Sequence, residues 1–202
     1  MKNLLFSLVV ISWLHPIDSQ GNKLHPSESI CKSNAIYKSK IDSIYLNSFE
    51  TLTKQKYMIL DVTSNKEIVK AFLTEVRSGK TPDNANLYLA ETVLAHQVNA
   101  ENETTVKRTP ENYADHVREF LTQYGDYSFQ ITELLAEGDK VYARWKQTGH
   151  HLTNLDGYAP TGKPLIEIAS AVYRVQNGKI VEYWIQIDRF GFEQQLKQHA
   201  GK

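Results

Sequence analysis

Cysteine is nearly absent: Cys31 is the only one in 202 residues, which excludes an internal disulfide framework and any multi-cysteine metal site. Net charge is missing too. The 23 basic side chains balance 23 acidic ones, so no overall field would hold nucleic acid or an anionic membrane surface, and neither is expected as a partner. No apolar run reaches the ~20 residues a bilayer crossing needs. No Gly-x-Ser-x-Gly elbow marks a serine nucleophile. The stretch Gly157 to Gly162 lacks both the following helix and the Lys-Ser/Thr of a phosphate loop. His150 and His151 are neighbours in an expected strand, so they point to opposite faces and cannot chelate one ion; no metal is expected.

What is present is a globular composition, with 41% hydrophobic residues. Lys2 precedes an apolar run from Leu4 to Leu14, and Pro16 and Ser19 follow. Residues 1–20 read as an export signal, which implies a secreted or periplasmic protein. Translation starting at Met58 would instead imply a cytoplasmic one. Residues 21–60 read as a polar extension or an accessory helix, with Ile36, Ile41, Ile44, Tyr45, Phe49 and Leu52 at rough helical spacing. Residues 61–202 form the domain proper.

Ser64 and Glu67 are spaced as a capping box that would open the domain's first helix. Its apolar stripe is Ile68, Val69, Phe72, Leu73 and Val76, and Gly79 supplies a left-handed stop. Thr109 and Pro110 announce a second helix, with Tyr113, Val117, Phe120, Leu121 and Tyr124 on one face and Gly125 at its end. Asn84–Leu89 predicts a short helix between them, and Thr92–Gln97 a strand. Beyond Gly125 the period changes to alternation. Strands are expected at Tyr127–Ala136, Lys140–His151, Leu165–Gln176 and Lys179–Asp188, turning at Gly138-Asp139's position and at Asn177-Gly178. A closing helix spans Phe190–His199. Helices first and hairpins afterwards make an α+β domain.

Register then suggests a site. With Gln176 opposite Lys179, uninterrupted pairing runs outward until Glu167 faces Asp188. One face would carry Glu167, Ala169 and Ala171 beside Trp184, Gln186 and Asp188. The alanines leave room, Trp184 walls it, and Gln186 and the two acids supply sparse polarity, which is the composition of a ligand pocket. Paired carboxylates would raise one proton affinity toward that of a general acid or base. The alternative is a solvated face with surface charges. The other face, with Tyr183, Ile185, Ile187, Ile166 and Ile168, needs cover from the domain's helices or from a second subunit. In the first hairpin, Val141, Ala143, Trp145 and Gln147 share a face with Leu134 and Thr132, and His151 continues it while His150 does not. His96 ends the early strand. Each histidine has a structural reading beside the functional one.

The run Glu133-Leu-Leu-Ala-Glu-Gly-Asp-Lys-Val-Tyr-Ala-Arg-Trp145 resembles the central hairpin of SnoaL-like polyketide cyclases, also called predicted ester cyclases. The likeness continues through Gly149-His150-His151, Gly157-Tyr-Ala-Pro-Thr-Gly-Lys163, Tyr173 to Trp184, Ile187-Asp188 and Gln194-Gln-Leu196. It covers Ser64–Leu196 and departs at Thr153, where a second glycine commonly follows the histidines. The resemblance implies a cone of curved antiparallel sheet with N-terminal helices packed over it, the shape shared with nuclear-transport-factor-type proteins. It implies a cofactor-independent cyclase or isomerase-type enzyme acting on a small hydrophobic carbonyl compound. Asp188 would be its general acid/base and His151 a second catalytic group. His96 matches a family pocket position too; together with it, the hairpin faces derived above give Trp145, Glu167, Trp184 and Gln186 as substrate-binding residues, and a homodimer is expected. The readings that stand against it are an exported small-molecule-binding protein without turnover and a dimerising structural module.

Overall fold

The computed structural model describes residues 19–21 and 26–201, with side chains of the long first helix described from Ile36 onward. The expected export signal therefore lies, but for Ser19 and Gln20, outside the described residues. The chain divides into two compact units, residues 1–55 and 56–202.

Helix α1 spans Pro26–Ala71 and runs on as a π-helical turn, Phe72–Arg77. No helix begins at Ser64, contrary to the capping-box expectation. No Gly or Pro interrupts the sequence between Pro26 and Gly79, and a capping pair acts only where upstream backbone leaves N–H groups free. In the first unit the helix leaves Ile36, Tyr37, Ile41, Ile44, Tyr45 and Phe49 exposed. Among the described residues no helix is long and apolar enough to cross a membrane.

In the second unit the stripe Val69, Phe72, Leu73 and Val76 is wholly buried. Gly79, at φ +82°, then ends the helix as expected. A 3₁₀ turn Pro82–Asn84 and the short helix α2, Ala85–Tyr88, lead into β1, Leu89–Gln97, and β2, Thr104–Arg108. Helix α3 is Pro110–Tyr124. The Thr109 hydroxyl accepts from the Asn112 N–H at 3.2 Å, and Gly125 turns the chain at φ +69°. Strands β3 (Ser128–Glu137), β4 (Lys140–His150), β5 (Pro164–Gln176) and β6 (Lys179–Ile187) follow, then α4, Arg189–His199.

The six strands form one curved, unclosed sheet in the order β2-β1-β6-β5-β4-β3, with helices over one face: the α+β cone that the sequence predicts. One pairing differs from an all-antiparallel sheet, since β1 runs parallel to β6. The core lies between α1, α2, α3 and the concave face. It joins Phe72, Leu73, Tyr113 and Val117 to Val141, Ala143, Trp145, Ala171 and Tyr173. A fully buried side chain of this kind contributes ~1.5–3 kcal/mol.

Two bulges set the faces. In β3–β4, Glu133 pairs Arg144 but Ile131 pairs Trp145, so Thr132 is extruded and exposed, and Ile131 takes the place expected for it. In β5–β6, Val175 pairs Ile180 but Arg174 pairs Glu182, so Val181 is the extra residue. Every later pair is displaced by one. Ala171 therefore faces Ile185, Ala169 faces Ile187, and Trp184 and Gln186 move to the convex side. The expected Glu167–Asp188 pair is not made; the Asp188 N–H donates to the Ile168 carbonyl at 3.0 Å. Tyr183, Ile185 and Ile187 turn inward onto the chain's own core, so they are not the outer face for which a second subunit was expected.

Candidate active site

The cone's interior is built around a charge. Arg77 occupies the next position of the α1 stripe after Val69, Phe72, Leu73 and Val76, so the helix aims it into the core, where it is 3% exposed. Its Nη1 donates to Gln147 Oε1 at 2.8 Å and its Nη2 to Glu167 Oε1 at 3.0 Å. The guanidinium carbon lies 4.4 Å from the Phe120 ring centre and 5.7 Å from that of Trp145, within cation–π range. Burial opposes the charge, but Glu167 and the surrounding tyrosines outweigh it and raise the Arg77 pKa above its ordinary value. The Tyr127 hydroxyl donates to the Arg77 carbonyl at 2.7 Å. The pocket expected above Ala169 and Ala171 is thus occupied by packed side chains, Trp145 and Phe72 among them.

Open space begins at the mouth. A hollow of about 670 Å³ lies between the β1–β2 turn, the end of α3 and the start of α4. Tyr124, Phe190 and Phe192 are its aromatic walls, and Glu101, Asp156, Glu167, Asp188 and Glu193 bring five carboxylates to it. Among the described residues Arg189 is the one basic side chain lining it, and it is paired with Glu101. Glu167 stands where Arg77's charge meets this space. Its Oε1 takes the guanidinium, while Oε2 carries no hydrogen bond among the described residues.

Asp188 is the N-cap of α4. Its Oδ1 accepts the Gly191 N–H at 2.9 Å, which satisfies one of the helix's free donors and fixes the carboxylate at the mouth. A Cβ at residue 191 would stand 2.3 Å from Asp188 Oδ2, so any side chain there would displace the carboxylate from its present position. Gly149 matters for a similar reason. A Cβ on it would lie 2.6 Å from that of Tyr124, so only glycine lets this wall residue settle on β4.

The other residues singled out in the sequence are dispersed. Trp145 is fully buried below the mouth, stacked on Phe129 with ring centres 5.9 Å apart. His151 continues the Trp145 face and is wholly buried. Its Nδ1 is 3.3 Å from Thr161 Oγ1, its Nε2 has no hydrogen-bond partner among the described residues, and it is not among the lining residues of the hollow. His150 is exposed. Trp184 and Gln186 lie on the convex face, against expectation, because the Val181 bulge turned that half of β6 over; His96 lies there as well, on the side of β1 opposite the buried Val93 and Ala95. There His96 stacks on Trp184 at 5.0 Å and its Nε2 lies 2.8 Å from Glu182 Oε1. Burial raises the Glu182 carboxyl, but His96 and Arg174 outweigh it and hold it below the usual range. Among the described residues no group of three or more His, Cys, Asp or Glu side chains could hold a metal ion.

A family model for SnoaL-like polyketide cyclases matches residues 67–196. The chain belongs to the SnoaL-like polyketide cyclase family. Among solved structures similar to this SnoaL-like chain is a proposed polyketide cyclase from Acidithiobacillus ferrooxidans. It is 27% identical, with a TM-score of 0.59 over 67% of this chain and 96% of that one. IdmH, a proposed polyketide cyclase from Streptomyces antibioticus, is 23% identical, with a TM-score of 0.55 over 65% and 97%. AclR, a proposed hydroxylase from Streptomyces galilaeus, is 18% identical, with a TM-score of 0.56 over 68% and 98%. The last two establish the fold alone. No curated sequence matches the chain.

Proposed function

We propose that this SnoaL-like protein is a cofactor-independent cyclase or isomerase-type enzyme that uses Asp188 as general acid/base on a small hydrophobic carbonyl compound. The observation that supports it is the placement of Asp188. It is anchored by one oxygen on the Gly191 N–H, at the rim of an aromatic-walled hollow whose floor carries Glu167. A substrate lying on Tyr124 and Phe192 would present an α-carbon to the free Asp188 oxygen and displace the water that weakens a carboxylate base. The proton taken to Asp188 leaves an enolate. Attack of that enolate on a second carbonyl of the same molecule forms the new carbon–carbon bond, and the alkoxide recovers the proton. No other reactant is consumed.

The first step can be tested without the natural substrate. Deuterium exchange α to the carbonyl of 2-tetralone, followed by proton NMR in D₂O, should be faster with protein than without it. Asp188→Asn should return the rate to background. Exchange that is no faster than background, with tetralone still bound, would support the non-catalytic binding protein instead.

A further inference from the structure

One apolar face of the described chain stands uncovered. In the first unit, α1 leaves Tyr37, Ile41, Ile44, Tyr45, Phe49 and Leu52 between 49% and 70% exposed. They recur at three- and four-residue spacing, so they form one broad stripe along about four turns of helix. Composition does not hold this helix by itself. Over residues 36–53 the weak helix formers Ile, Tyr, Phe, Ser, Thr, Asn and Asp outnumber Leu, Lys and Glu by 13 to 5. A helix of such residues depends on the packing of its apolar face. The stripe therefore needs a partner.

The stripe fits a second copy of itself. Ser48 lies within it, and its hydroxyl donates to the Tyr45 carbonyl at 2.9 Å. That small polar group is satisfied inside its own helix and can be covered without losing a hydrogen bond. Set antiparallel about a two-fold axis between Ile44 and Tyr45, two such helices place Tyr37 of each opposite Leu52 of the other. Ile41 then meets the small Ser48, and Ile44 meets Tyr45, which is the self-complementarity a two-fold interface requires. Lys38 comes opposite Thr51 and Asp42 opposite Asn47, so no like charges face each other. At ~100 Å² for each exposed side chain, the stripe with its flanking Ile36 and Leu46 presents about 800 Å² per copy, the share one partner gives to a stable interface. A membrane surface fits less well, because Asp42 and Glu50 stand among Lys38, Lys40 and Lys54 where a basic face would be needed. We infer that residues 36–52 of α1 pair antiparallel with the same segment of a second copy to form a dimer. The proposed chemistry is not involved, since none of these residues lines the mouth.

The test is sedimentation velocity of the full-length protein at micromolar concentration, which should show twice the mass of the chain. The double substitution Ile44→Glu/Tyr45→Glu sets four carboxylates at the axis. It should sediment as a monomer and lose part of the helical circular dichroism, while the cooperative melt followed by tryptophan fluorescence stays where it was. A nitroxide on Gln55→Cys, in a Cys31→Ser background, reads the direction of pairing by pulsed EPR. At 1.5 Å of rise per residue, antiparallel helices hold the two labels about 30 Å apart. Parallel helices would bring them to about the 10 Å between packed helix axes and overturn the register. A monomeric parent protein, a dimer that survives the double substitution, or a monomer that instead sediments with phosphatidylcholine–phosphatidylglycerol vesicles would each overturn the inference.

Discussion

The carboxylate of Glu167 answers to Arg77, at 3.0 Å, and not to Asp188. The partner is 90 residues away in sequence and comes from a helix, so the floor of the mouth belongs to the α1–sheet packing as much as to the strands. Both groups are buried, and a buried ion pair is most costly when half of it is removed. Arg77→Met should destabilise the domain by ~3–5 kcal/mol, and Glu167→Gln should also be costly. The double variant Arg77→Met/Glu167→Gln should lose less than the sum of the two. Urea denaturation of all four proteins measures the coupling, and strict additivity would show that the pair does not act as a unit.

Gly149 makes a prediction about packing. Its missing side chain is occupied by Tyr124, whose Cβ and carbonyl oxygen would lie 2.6 Å and 2.8 Å from an added methyl. Backbone contact cannot be relieved by a rotamer change. Gly149→Ala should therefore cost ~1–3 kcal/mol and move the Tyr124 ring. Tyrosine fluorescence together with melting would report both effects, and a variant as stable as the parent would mean that α3 and β4 are not so closely seated.

The sequence was most legible where pattern and punctuation agreed. The Val69–Val76 stripe, the Thr109 cap, the stops at Gly79 and Gly125 and the hairpin at Asn177-Gly178 all appear where periodicity places them. The faces of β6 were not legible, because a bulge adds one residue without any turn signal. Val181 looks like any other strand valine, yet it exchanges Trp184 and Gln186 with Ile185 and Ile187. The alternation does hold a clue: counted back from Ile187, the aliphatic positions fit Tyr183 better than Trp184. Arg77 carried a signal that could have been read. It falls on the apolar stripe, where a charge is unexpected unless a partner waits in the core. Strand β2, Thr104–Arg108, was hidden because it is exposed at the sheet edge and lacks an apolar face.

His116 supplies a pH prediction. It lies on α3 with its ring 4.5 Å from that of Phe120. Burial, with the positive charges of Arg108 and Arg77, pushes its pKa from 6.5 down to about 4, partly opposed by Glu119. The unfolded chain takes up the proton near 6.5 and the folded one only near 4, so acid favours unfolding. The stability concerned is fully present above pH 6.5 and is lost as pH falls toward 4. The side chain is 36% exposed, which makes the effect modest. His116→Gln should flatten the melting temperature between pH 6.5 and 4 relative to the parent. Parallel curves for the two proteins would show that His116 titrates normally.

Asp188 performs two tasks, and two substitutions separate them. Its Oδ1 caps α4 through the Gly191 N–H, and the rest of the carboxylate faces the mouth. Asparagine keeps an oxygen of the same geometry and is as good an N-cap as aspartate, so Asp188→Asn should melt within about a degree or two of the parent. It should nevertheless lose the deuterium exchange, because an amide cannot take the proton. Asp188→Ala removes cap and base together and should lose ~0.5–2 kcal/mol of stability as well as activity. Gly191→Ala tests the same contact from the other side. The added methyl would meet Oδ2 at 2.3 Å and force the carboxylate to rotate off its donor. Exchange should fall in this variant although the aspartate itself remains. If Gly191→Ala keeps full exchange while Asp188→Asn loses it, Asp188 acts as a base without needing the anchor. If Asp188→Asn keeps full exchange, the base is some other group.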